Sequence, residues 1–176
     1  LLSRGLGDVY KRQVFFITDG KDYVLLPEAK DYKRIGEDDK GPNTGGMGAV
    51  SPVNFVDDKF IKKVKREIID KTIKGLRSEN IEYKGFVFAG LMNVDGDPYV
   101  IEYNVRMGDP ETQVVIPRLK NDLVEIILTC LDGNLSGAST QFLDKYCTTV
   151  ILASDGYPNQ YEKGKKITNI SDCLLY

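Results

Sequence analysis

The sequence predicts an α+β fold, in which antiparallel hairpins pack against separate helices. The first observation behind this prediction is a pair of apolar, strand-like runs at residues 14–18 and 23–26, joined by a tight turn. The second is a similar pair at residues 86–92 and 99–106. The third is that apolar residues recur with helical spacing in two further segments, which lie between and after these hairpins.

The first hairpin turns at Asp19-Gly20-Lys21 and ends at Pro27. Residues 28–55 then show no sustained period and are rich in glycine and proline. A loop of this length inside a compact domain is usually either functional or disordered. Because both ends of the segment have the character of ordered structure, we expect a functional loop.

A long helix is predicted from Asp57 or Asp58 to about Glu79. Aspartate suits a helix N-terminus, and the many basic residues of the segment are interpreted as a solvated outer face. The apolar stripe has amphipathic spacing and consists of Phe60, Ile61, Val64, Ile68, Ile69, Ile73 and Leu76.

The second half of the chain continues the alternation of hairpin and helix. The second hairpin turns at Asp95-Gly96. A second helix is predicted from about Asp122 to Leu131, with Asn121 as its N-cap and Gly133 as its end. A further strand is predicted at residues 148–153.

The composition fits a folded protein whose chemistry does not use histidine. The 176 residues are 41% hydrophobic, with 24 basic residues, 26 acidic residues, no histidine and three cysteines. The charge balance does not indicate a nucleic-acid or membrane partner, and no apolar run reaches the length of a membrane span. The cysteines form no CxxC pair, so we expect a cytoplasmic protein without a disulfide framework. Any catalysis must then rely on carboxylates, amides, lysines, arginines and backbone N–H groups, as in nucleotide-driven transfer reactions.

The most informative strand carries Glu102, Asn104 and Arg106. Glu102 and Asn104 are two residues apart, so both side chains lie on one face of a β-strand, with Arg106 next in line. A carboxylate and an amide oxygen suit a hard cation such as Mg2+, which is usually held by one or two carboxylates plus substrate phosphates. Taken alone, the pair fits a solvated strand face equally well. The opposite face, which we expect to pack into the core, consists of Ile101, Tyr103 and Val105.

A glycine-rich loop, Gly-Pro-Asn-Thr-Gly-Gly-Met-Gly, runs from Gly41 to Gly48. Such a backbone can approach an anion closely. It is not a Walker A loop, because no Gly-Lys-Ser/Thr follows, and by itself it fits an ordinary turn. Together with the Glu102 strand it indicates a phosphoryl-transfer site. We expect the loop to meet that strand, and Gly45 and Gly46 to need backbone angles that other residues rarely adopt.

Three segments in order carry a resemblance to a known family. They are Asp31-Tyr32-Lys33-Arg34, the loop from Gly41 to Gly48, and the run from Ile101 to Gln113. Together they closely resemble the phosphoribosylamine–glycine ligase family of the ATP-grasp superfamily, and the resemblance covers about Val14 to Asp172. It implies the C-terminal lobe of an ATP-grasp domain, with a largely antiparallel sheet and packed helices, followed by the start of a small C-terminal domain.

The resemblance implies an enzyme of purine biosynthesis that joins glycine to 5-phosphoribosylamine. ATP is the co-substrate, glycyl phosphate is the intermediate, and the products are glycinamide ribonucleotide, ADP and phosphate. Because the intermediate forms on the substrate, no protein nucleophile is needed, which agrees with the absence of histidine.

The resemblance also implies roles for individual residues. Glu102 and Asn104 would hold Mg2+ or Mn2+, and Arg106 would offset the charge on the transferring phosphoryl group. The other implied catalytic residues, which would present backbone donors to the carboxylate and phosphates, are Asn43, Gly45 and Gly46. The implied substrate-binding residues are Asp31, Lys33, Arg34, Thr44, Met47, Gly48, Asp109, Pro110 and Glu111.

The chain also departs from the family pattern. Residues 1–13 match nothing in the family and are expected to be an adapter-like leader, as are residues 173–176 at the other end. Residues 14–133 are expected to be the C-terminal portion of an ATP-grasp domain, and residues 143–172 the start of the next domain. Since the family's first ATP-grasp lobe has no counterpart here, we expect an internal fragment that is inactive alone, from a full-length monomer.

Two alternatives remain open. Other ATP-grasp carboxylate–amine ligases, such as biotin carboxylase or D-alanine–D-alanine ligase, share the acidic-x-Asn pair but not the Arg-Met-Gly-Asp-Pro-Glu continuation or the glycine-rich loop. The other alternative is a folded module without nucleotide function. Thermal melting with ADP and Mg2+ separates these classes, since a ligand that binds only the folded state raises the melting temperature.

Overall fold

A four-stranded antiparallel sheet is the centre of the structure, a computed structural model that describes residues 11–53 and 58–168. The strands of the described residues are β1 Lys11–Thr18, β2 Tyr23–Leu25, β3 Lys30–Asp31, β4 Arg34–Gly36, β5 Lys40–Asn43, β6 Gly48–Ser51, β7 Gly85–Val94, β8 Asp97–Asn104 and β9 Cys147–Val150. The α-helices are α1 Asp58–Val64, α2 Asp70–Ser78, α3 Thr112–Val115 and α4 Leu123–Leu131. A π-helical turn at Lys65–Ile69 joins α1 to α2, and 3-10 turns lie at Glu37–Asp39 and Ile116–Arg118. The predicted α+β class is confirmed.

The central sheet has the strand order β2-β1-β7-β8, with every neighbouring pair antiparallel. Both predicted hairpins are present, as β1–β2 and β7–β8. Phe15 of β1 lies opposite Phe88 of β7, and their rings stack with centroids 5.2 Å apart. Such cross-strand aromatic pairs stabilise a sheet and fix its register. Residues 11–13, predicted to belong to a non-family leader, form the start of β1 and pair with β7.

The long helical segment covers one face of the sheet. α1, the π-helical turn and α2 are continuous from Asp58 to Ser78, which confirms the predicted helix. Residues 54–57, which include the alternative start Asp57, lie outside the described residues. The buried cluster between helix and sheet consists of Val14, Phe16, Phe60, Val64, Ile68, Ile69, Ile73, Val87, Ala89 and Leu91.

Helices α3 and α4 cover part of the other face. α3 was not predicted, because four residues are too few for a helical period to show in the sequence. It nevertheless buries Val114 and Val115 completely. The buried cluster on this side consists of Phe15, Ile17, Val24, Leu26, Ala29, Ala49, Phe88, Val114, Val115, Ile126, Cys130 and Leu135.

The predicted N-cap of α4 is wrong by one residue. Asp122 caps the helix, since its Oδ1 accepts hydrogen bonds from the backbone N–H groups of Val124 at 2.7 Å and Glu125 at 3.3 Å. Asn121 instead accepts a hydrogen bond from the Gln141 N–H at 2.7 Å. Both residue types are good N-caps, so the sequence does not distinguish the two positions.

The expected core face of β8 is also wrong. Tyr103 is 45% exposed and Val105 is 71% exposed, and Ile101 is exposed as well. β8 lies at the edge of the sheet, and the pairing of Glu102 with Gly90 and of Val100 with Leu91 leaves Ile101 as an extra residue in a bulge. The bulge interrupts the alternation at Ile101, whereas Tyr103 lies opposite the buried Ala89 and is exposed because β8 is an edge strand. β8 ends at Asn104, so Arg106 lies beyond the strand rather than within it.

A smaller sheet with the order β3-β6-β9 connects the glycine-rich region to β9, the last strand among the described residues. β4 and β5 form a separate two-stranded hairpin. Residues 28–53, predicted as one loop, are therefore partly strand, because strands of two to four residues show no sustained period. The strand predicted at residues 148–153 is present in part, as β9 from Cys147 to Val150, and residues 151–153 are not strand. Within the described ranges, no helix has both the length and the apolar character needed to cross a membrane.

Candidate active site

Glu102 and Asn104 project from the same face of β8. They pair with Gly90 and Phe88, which are alternate residues of β7, so both side chains lie on the face that carries the Phe15–Phe88 stack. Gly90 permits this arrangement, because a Cβ at that position would lie 2.9 Å from Cγ of Glu102. The pair offers one carboxylate and one amide oxygen side by side.

The donor chemistry of this pair fits a hard divalent cation. Among the described residues, no group of three or more His, Cys, Asp or Glu side chains could hold a metal ion. A cation at Glu102 and Asn104 would therefore complete its coordination with water or with oxygens of a bound ligand, as Mg2+ commonly does with substrate phosphates.

Lys33 connects this face to the Asp31 segment. Its ammonium forms an ion pair with Asp31, whose side chain is 2% exposed. Asp31 also accepts a hydrogen bond from Nε2 of Gln13 at 2.5 Å. Partial burial acts to lower the pKa of Lys33. The ion pair with Asp31 and the charges of Glu111 and Glu102 outweigh this effect, so the pKa of Lys33 is raised. Lys33 is thus a stable cation among carboxylates from three separate segments.

Glu111 is a buried carboxylate immediately before α3. It is 1% exposed, and its Oε2 has no hydrogen-bond partner among the described residues. Burial raises the pKa of Glu111 and repulsion from Asp31 adds to the shift, whereas a hydrogen bond from its own backbone N–H and the charges of Lys33 and Arg106 oppose it. A Cβ at Gly108 would overlap this oxygen, so glycine is needed there. A buried oxygen without a partner is costly, which makes Glu111 a candidate for contact with a ligand.

Gly46 brings the glycine-rich loop against the segment that follows β8. Its φ is +136°, and a Cβ at this position would overlap Cδ of Pro110. Gly45 has no positive φ, and a Cβ there would lie at an ordinary 3.4 Å from Oη of Tyr157. The expectation of special backbone angles is therefore right for Gly46 and wrong for Gly45. The other positive φ in the loop is at Gly41, +82°.

The backbone donors at residues 44–47 are all hydrogen bonded within the chain. Thr44 N–H and Met47 N–H donate to the backbone carbonyls of Lys33 and Tyr32, each at 2.7 Å. Gly46 N–H donates to Oγ1 of Thr44 at 3.0 Å, and Gly45 N–H donates to the Tyr157 hydroxyl at 3.0 Å. The partners of Gly45 and Gly46 are thus side-chain hydroxyl groups, whereas those of Thr44 and Met47 are backbone carbonyls.

Other predicted site residues lie at the margins of this arrangement. Arg34 and Asn43 face each other across the β4–β5 hairpin, and the Arg34 guanidinium donates to the Gly41 carbonyl at 2.7 Å. Gly48 lies in β6, so close to β9 that a Cβ would be 2.6 Å from the carbonyl oxygen of Thr149. These three residues therefore shape the glycine-rich loop and the strands that flank it, β4, β5 and β6.

Arg106 and Asp109 lie on the segment between β8 and α3. Arg106 is exposed and donates to the Met107 carbonyl at 2.8 Å, and its charge acts on Glu111. Asp109 is also exposed, and its Oδ1 accepts a hydrogen bond from Nε2 of Gln113 at 2.8 Å. Both side chains can therefore meet a ligand without unfolding the core.

Sequence reasoning gave no role to Tyr157 or Gln13, which contact the loop and Asp31 respectively. The signal for Tyr157 was its place in the turn-forming Gly156-Tyr157-Pro158, but nothing in the sequence indicates its partner. Gln13 carried no signal, because a lone glutamine in a strand is usually a surface residue.

A cavity of about 720 Å3 lies elsewhere, between the β1–β2 turn and the end of α2. It is lined by residues such as Lys21, Tyr23, Asp70 and Arg77, and by none of the predicted site residues. The predicted site residues therefore form a separate surface region.

Comparison with known proteins supplies a family. Residues 10–112 match the family described as phosphoribosylglycinamide synthetase, ATP-grasp (A) domain. The chain is 47% identical over 155 residues to phosphoribosylamine–glycine ligase of Chlorobaculum tepidum, which covers 88% of this chain and 36% of that protein. The chain thus spans little more than a third of the length of that relative.

Solved structures agree with this match. The crystal structure of phosphoribosylamine–glycine ligase from Thermotoga maritima superimposes with a TM-score of 0.80 and 40% identity, covering 88% of this chain and 38% of that one. The biotin carboxylase domain of a single-chain bacterial carboxylase has a TM-score of 0.50 at 18% identity, over 76% of this chain and 28% of that one. The second likeness shows the fold alone.

Proposed function

Because the chain belongs to the phosphoribosylglycinamide synthetase family of ATP-grasp domains, we propose that it is part of an ATP-dependent ligase that joins glycine to 5-phosphoribosylamine. The family resemblance and the ATP-grasp fold predicted from the sequence motifs are confirmed. The observation that best supports the activity is the meeting of motifs distant in sequence. Lys33 lies among Asp31, Glu102 and Glu111, and Gly46 packs on Pro110.

In the proposed first step, a glycine carboxylate oxygen attacks the γ-phosphorus of ATP. The bond from that phosphorus to the bridging oxygen of ADP breaks, which gives glycyl phosphate and ADP. Arg106, exposed beside the end of β8, would offset the charge on the transferring phosphoryl group. The loop from Asn43 to Gly48 would bind the carboxylate and phosphates, with the Gly45 and Gly46 peptides oriented by their hydrogen bonds to the hydroxyl groups of Tyr157 and Thr44.

In the proposed second step, the amine of 5-phosphoribosylamine attacks the carbonyl carbon of glycyl phosphate. The bond from that carbon to the phosphate oxygen breaks, the amine loses a proton, and glycinamide ribonucleotide and phosphate are released. Asp31, Lys33 and Arg34 would hold the phosphoribosylamine. The ion pair with Asp31 supports this role, because it holds the partly exposed Lys33 ammonium in place beside the proposed site.

Glu102 and Asn104 would hold the divalent cation, Mg2+ or Mn2+, since their oxygens lie side by side on one strand face. When bound, such a cation neutralises charge on ATP phosphates and helps to orient them. Thr44, Met47 and Gly48 would shape the loop, and Asp109, Pro110 and Glu111 would line the substrate side. Glu111 is the best supported of these by burial, because one of its oxygens has no partner within the described part of the chain.

We also propose that residues 14–133 belong to an ATP-grasp domain and that residues 143–172 form the start of the next domain. The full-length enzyme would be cytoplasmic and monomeric. Pairing between β6 and β9 joins the two parts, since Gly48–Ser51 and Cys147–Val150 share one sheet.

The proposal is tested with a chimeric ligase, in which residues 14–168 replace the matching segment of the Chlorobaculum tepidum relative. We expect ADP release that requires both glycine and 5-phosphoribosylamine, together with mass-spectrometric detection of glycinamide ribonucleotide. Reactions that lack one substrate are the controls. An inactive chimera beside an active parent, or ADP release independent of either substrate, would contradict the proposed function.

A further inference from the structure

Tyr157 reaches the glycine-rich loop from the far end of the described chain. Its hydroxyl oxygen accepts a hydrogen bond from the Gly45 N–H at 3.0 Å. The two residues are far apart in sequence, and the Gly45 amide is at the surface, where water is the alternative partner. A contact of this kind restrains the loop rather than satisfying a buried donor.

The segment that carries Tyr157 is held in place by its own contacts. Tyr157 N–H donates to the Ser154 carbonyl at 3.2 Å, and Asn159 N–H donates to the Gly156 carbonyl at 3.0 Å, so the turn after β9 is closed. The Tyr157 ring packs edge to face against Tyr161, with centroids 5.4 Å apart. The hydroxyl is therefore presented to the loop from a fixed position.

The loop needs such a restraint at Gly45 and Gly46. Two adjacent glycines lose more backbone entropy on ordering than any other pair. On one side, Thr44 is fixed by its N–H and Oγ1, which both donate to the Lys33 carbonyl, at 2.7 and 2.8 Å. On the other side, Met47 is fixed by Tyr32 and by Ile151, whose N–H donates to the Met47 carbonyl at 2.9 Å. Between them, the Gly45 peptide is held by Tyr157.

We propose that Tyr157 is a positioning residue of the glycine-rich loop, whose hydroxyl orients the Gly45–Gly46 segment for the carboxylate of the substrate. The inference rests on the proposed ligase function for its kinetic consequence, but the contact itself does not. Preordered donors bind an anion without the cost of ordering the loop first, so loss of the hydroxyl should weaken glycine binding rather than fold stability.

The contact is tested by amide hydrogen exchange, measured by NMR on the 176-residue chain. In Tyr157→Phe, exchange at Gly45 should become about tenfold faster, as expected for the loss of one hydrogen bond. Exchange at Met47, which donates to a backbone carbonyl, should not change. Unchanged exchange at Gly45 in this variant would overturn the proposal whatever the enzyme's activity.

The kinetic consequence is tested in the chimeric ligase defined above. Tyr157→Phe should raise the KM for glycine about tenfold, with an unchanged KM for 5-phosphoribosylamine and an unchanged melting temperature. Tyr161→Phe is the matched control, because it removes a hydroxyl from the neighbouring ring that has no hydrogen bond to the loop among the described residues. A wild-type KM for glycine in Tyr157→Phe, or an equal increase in Tyr161→Phe, would overturn the positioning role. An inactive chimera with normal exchange behaviour would contradict the ligase function instead.

Discussion

Gly46 and Pro110 are packed against each other so closely that no side chain fits between them. A Cβ on residue 46 would overlap Cδ of Pro110, and the φ of Gly46 is +136°, an angle that other residues rarely adopt. Pro110 is buried and directly precedes Glu111, which is buried as well. Two independent constraints, space and backbone angle, thus fix the glycine-rich loop against the segment that carries the buried carboxylate.

Gly46→Ala should destabilise the chain by about 1–3 kcal/mol, because the new Cβ meets both constraints at once. The measurement is the free energy of unfolding from urea titration. Gly75→Ala is the control, since Gly75 lies in α2, has no positive φ, and has no atom within 4 Å of the added Cβ. That substitution should stabilise by about 0.5–1 kcal/mol. Equal effects of the two alanines would show that the Gly46 contact is not as tight as described.

Asp122→Ala should cost about 1 kcal/mol of stability, because it removes the side chain that caps α4. Asp132→Ala at the opposite end of the helix is the control. Removing an exposed negative charge near a helix C-terminus should be neutral or stabilising by a few tenths of a kcal/mol. Thermal or urea unfolding of the two variants checks the sign difference, and a loss of similar size in both would contradict the capping assignment.

The parts of the fold that the sequence predicted are those with a long or repeated signal. The helix from Asp58 to Ser78 carries an apolar stripe over several turns, and both hairpins have an aspartate–glycine turn between apolar runs. The candidate site was found in the same way, since Glu102 and Asn104 keep the two-residue spacing of a strand.

The parts that could not be predicted depend on single residues or on contacts across the chain. The expected core face of β8 is wrong because one extra residue at Ile101 forms a bulge and because β8 lies at the edge of the sheet. Asn121 and Asp122 are adjacent and equally suited to capping, so only the observed hydrogen bonds distinguish them. The hydrogen bond from Gly45 to Tyr157 joins two segments that the pairing of β6 with β9 brings together. Nothing in the local sequence of either segment predicts this contact.

Glu111→Gln should make the chain more stable at neutral pH and should reduce the dependence of stability on pH. The pKa of Glu111 is raised above its ordinary 4.5 by burial, so the folded state holds its proton more tightly than the unfolded state does. The stabilisation from this group is present below pH 4.5 and is lost as pH rises through the folded-state pKa. A glutamine at this position cannot ionise, so the variant does not lose stability in this way as pH rises.

The measurement is the free energy of unfolding of wild type and Glu111→Gln across the pH range from 4 to about 8, where the two curves should separate as pH rises. Glu79→Gln is the control, because Glu79 is an exposed carboxylate at the end of α2. If Glu111→Gln gives the same pH dependence as wild type, Glu111 does not titrate with a raised pKa. If the residue also contacts substrate as proposed, the stabilised variant should lose turnover in the chimeric ligase.

Glu102→Gln should reduce turnover of the chimeric ligase on the order of 100-fold at saturating Mg2+, while leaving folding intact. The substitution keeps the shape of the side chain and one oxygen, but it removes the negative charge that favours a divalent cation. Stability should change little, because Glu102 is exposed and forms no ion pair within residues 11–53 and 58–168.

The checks are kcat as a function of Mg2+ concentration and the melting temperature without ligands. Glu125→Gln, which removes an exposed carboxylate on α4, is the control and should leave kcat and its dependence on Mg2+ unchanged. Because the charge, and not the packing, is what Glu102→Gln alters, wild-type turnover in that variant would remove Glu102 from the proposed metal site.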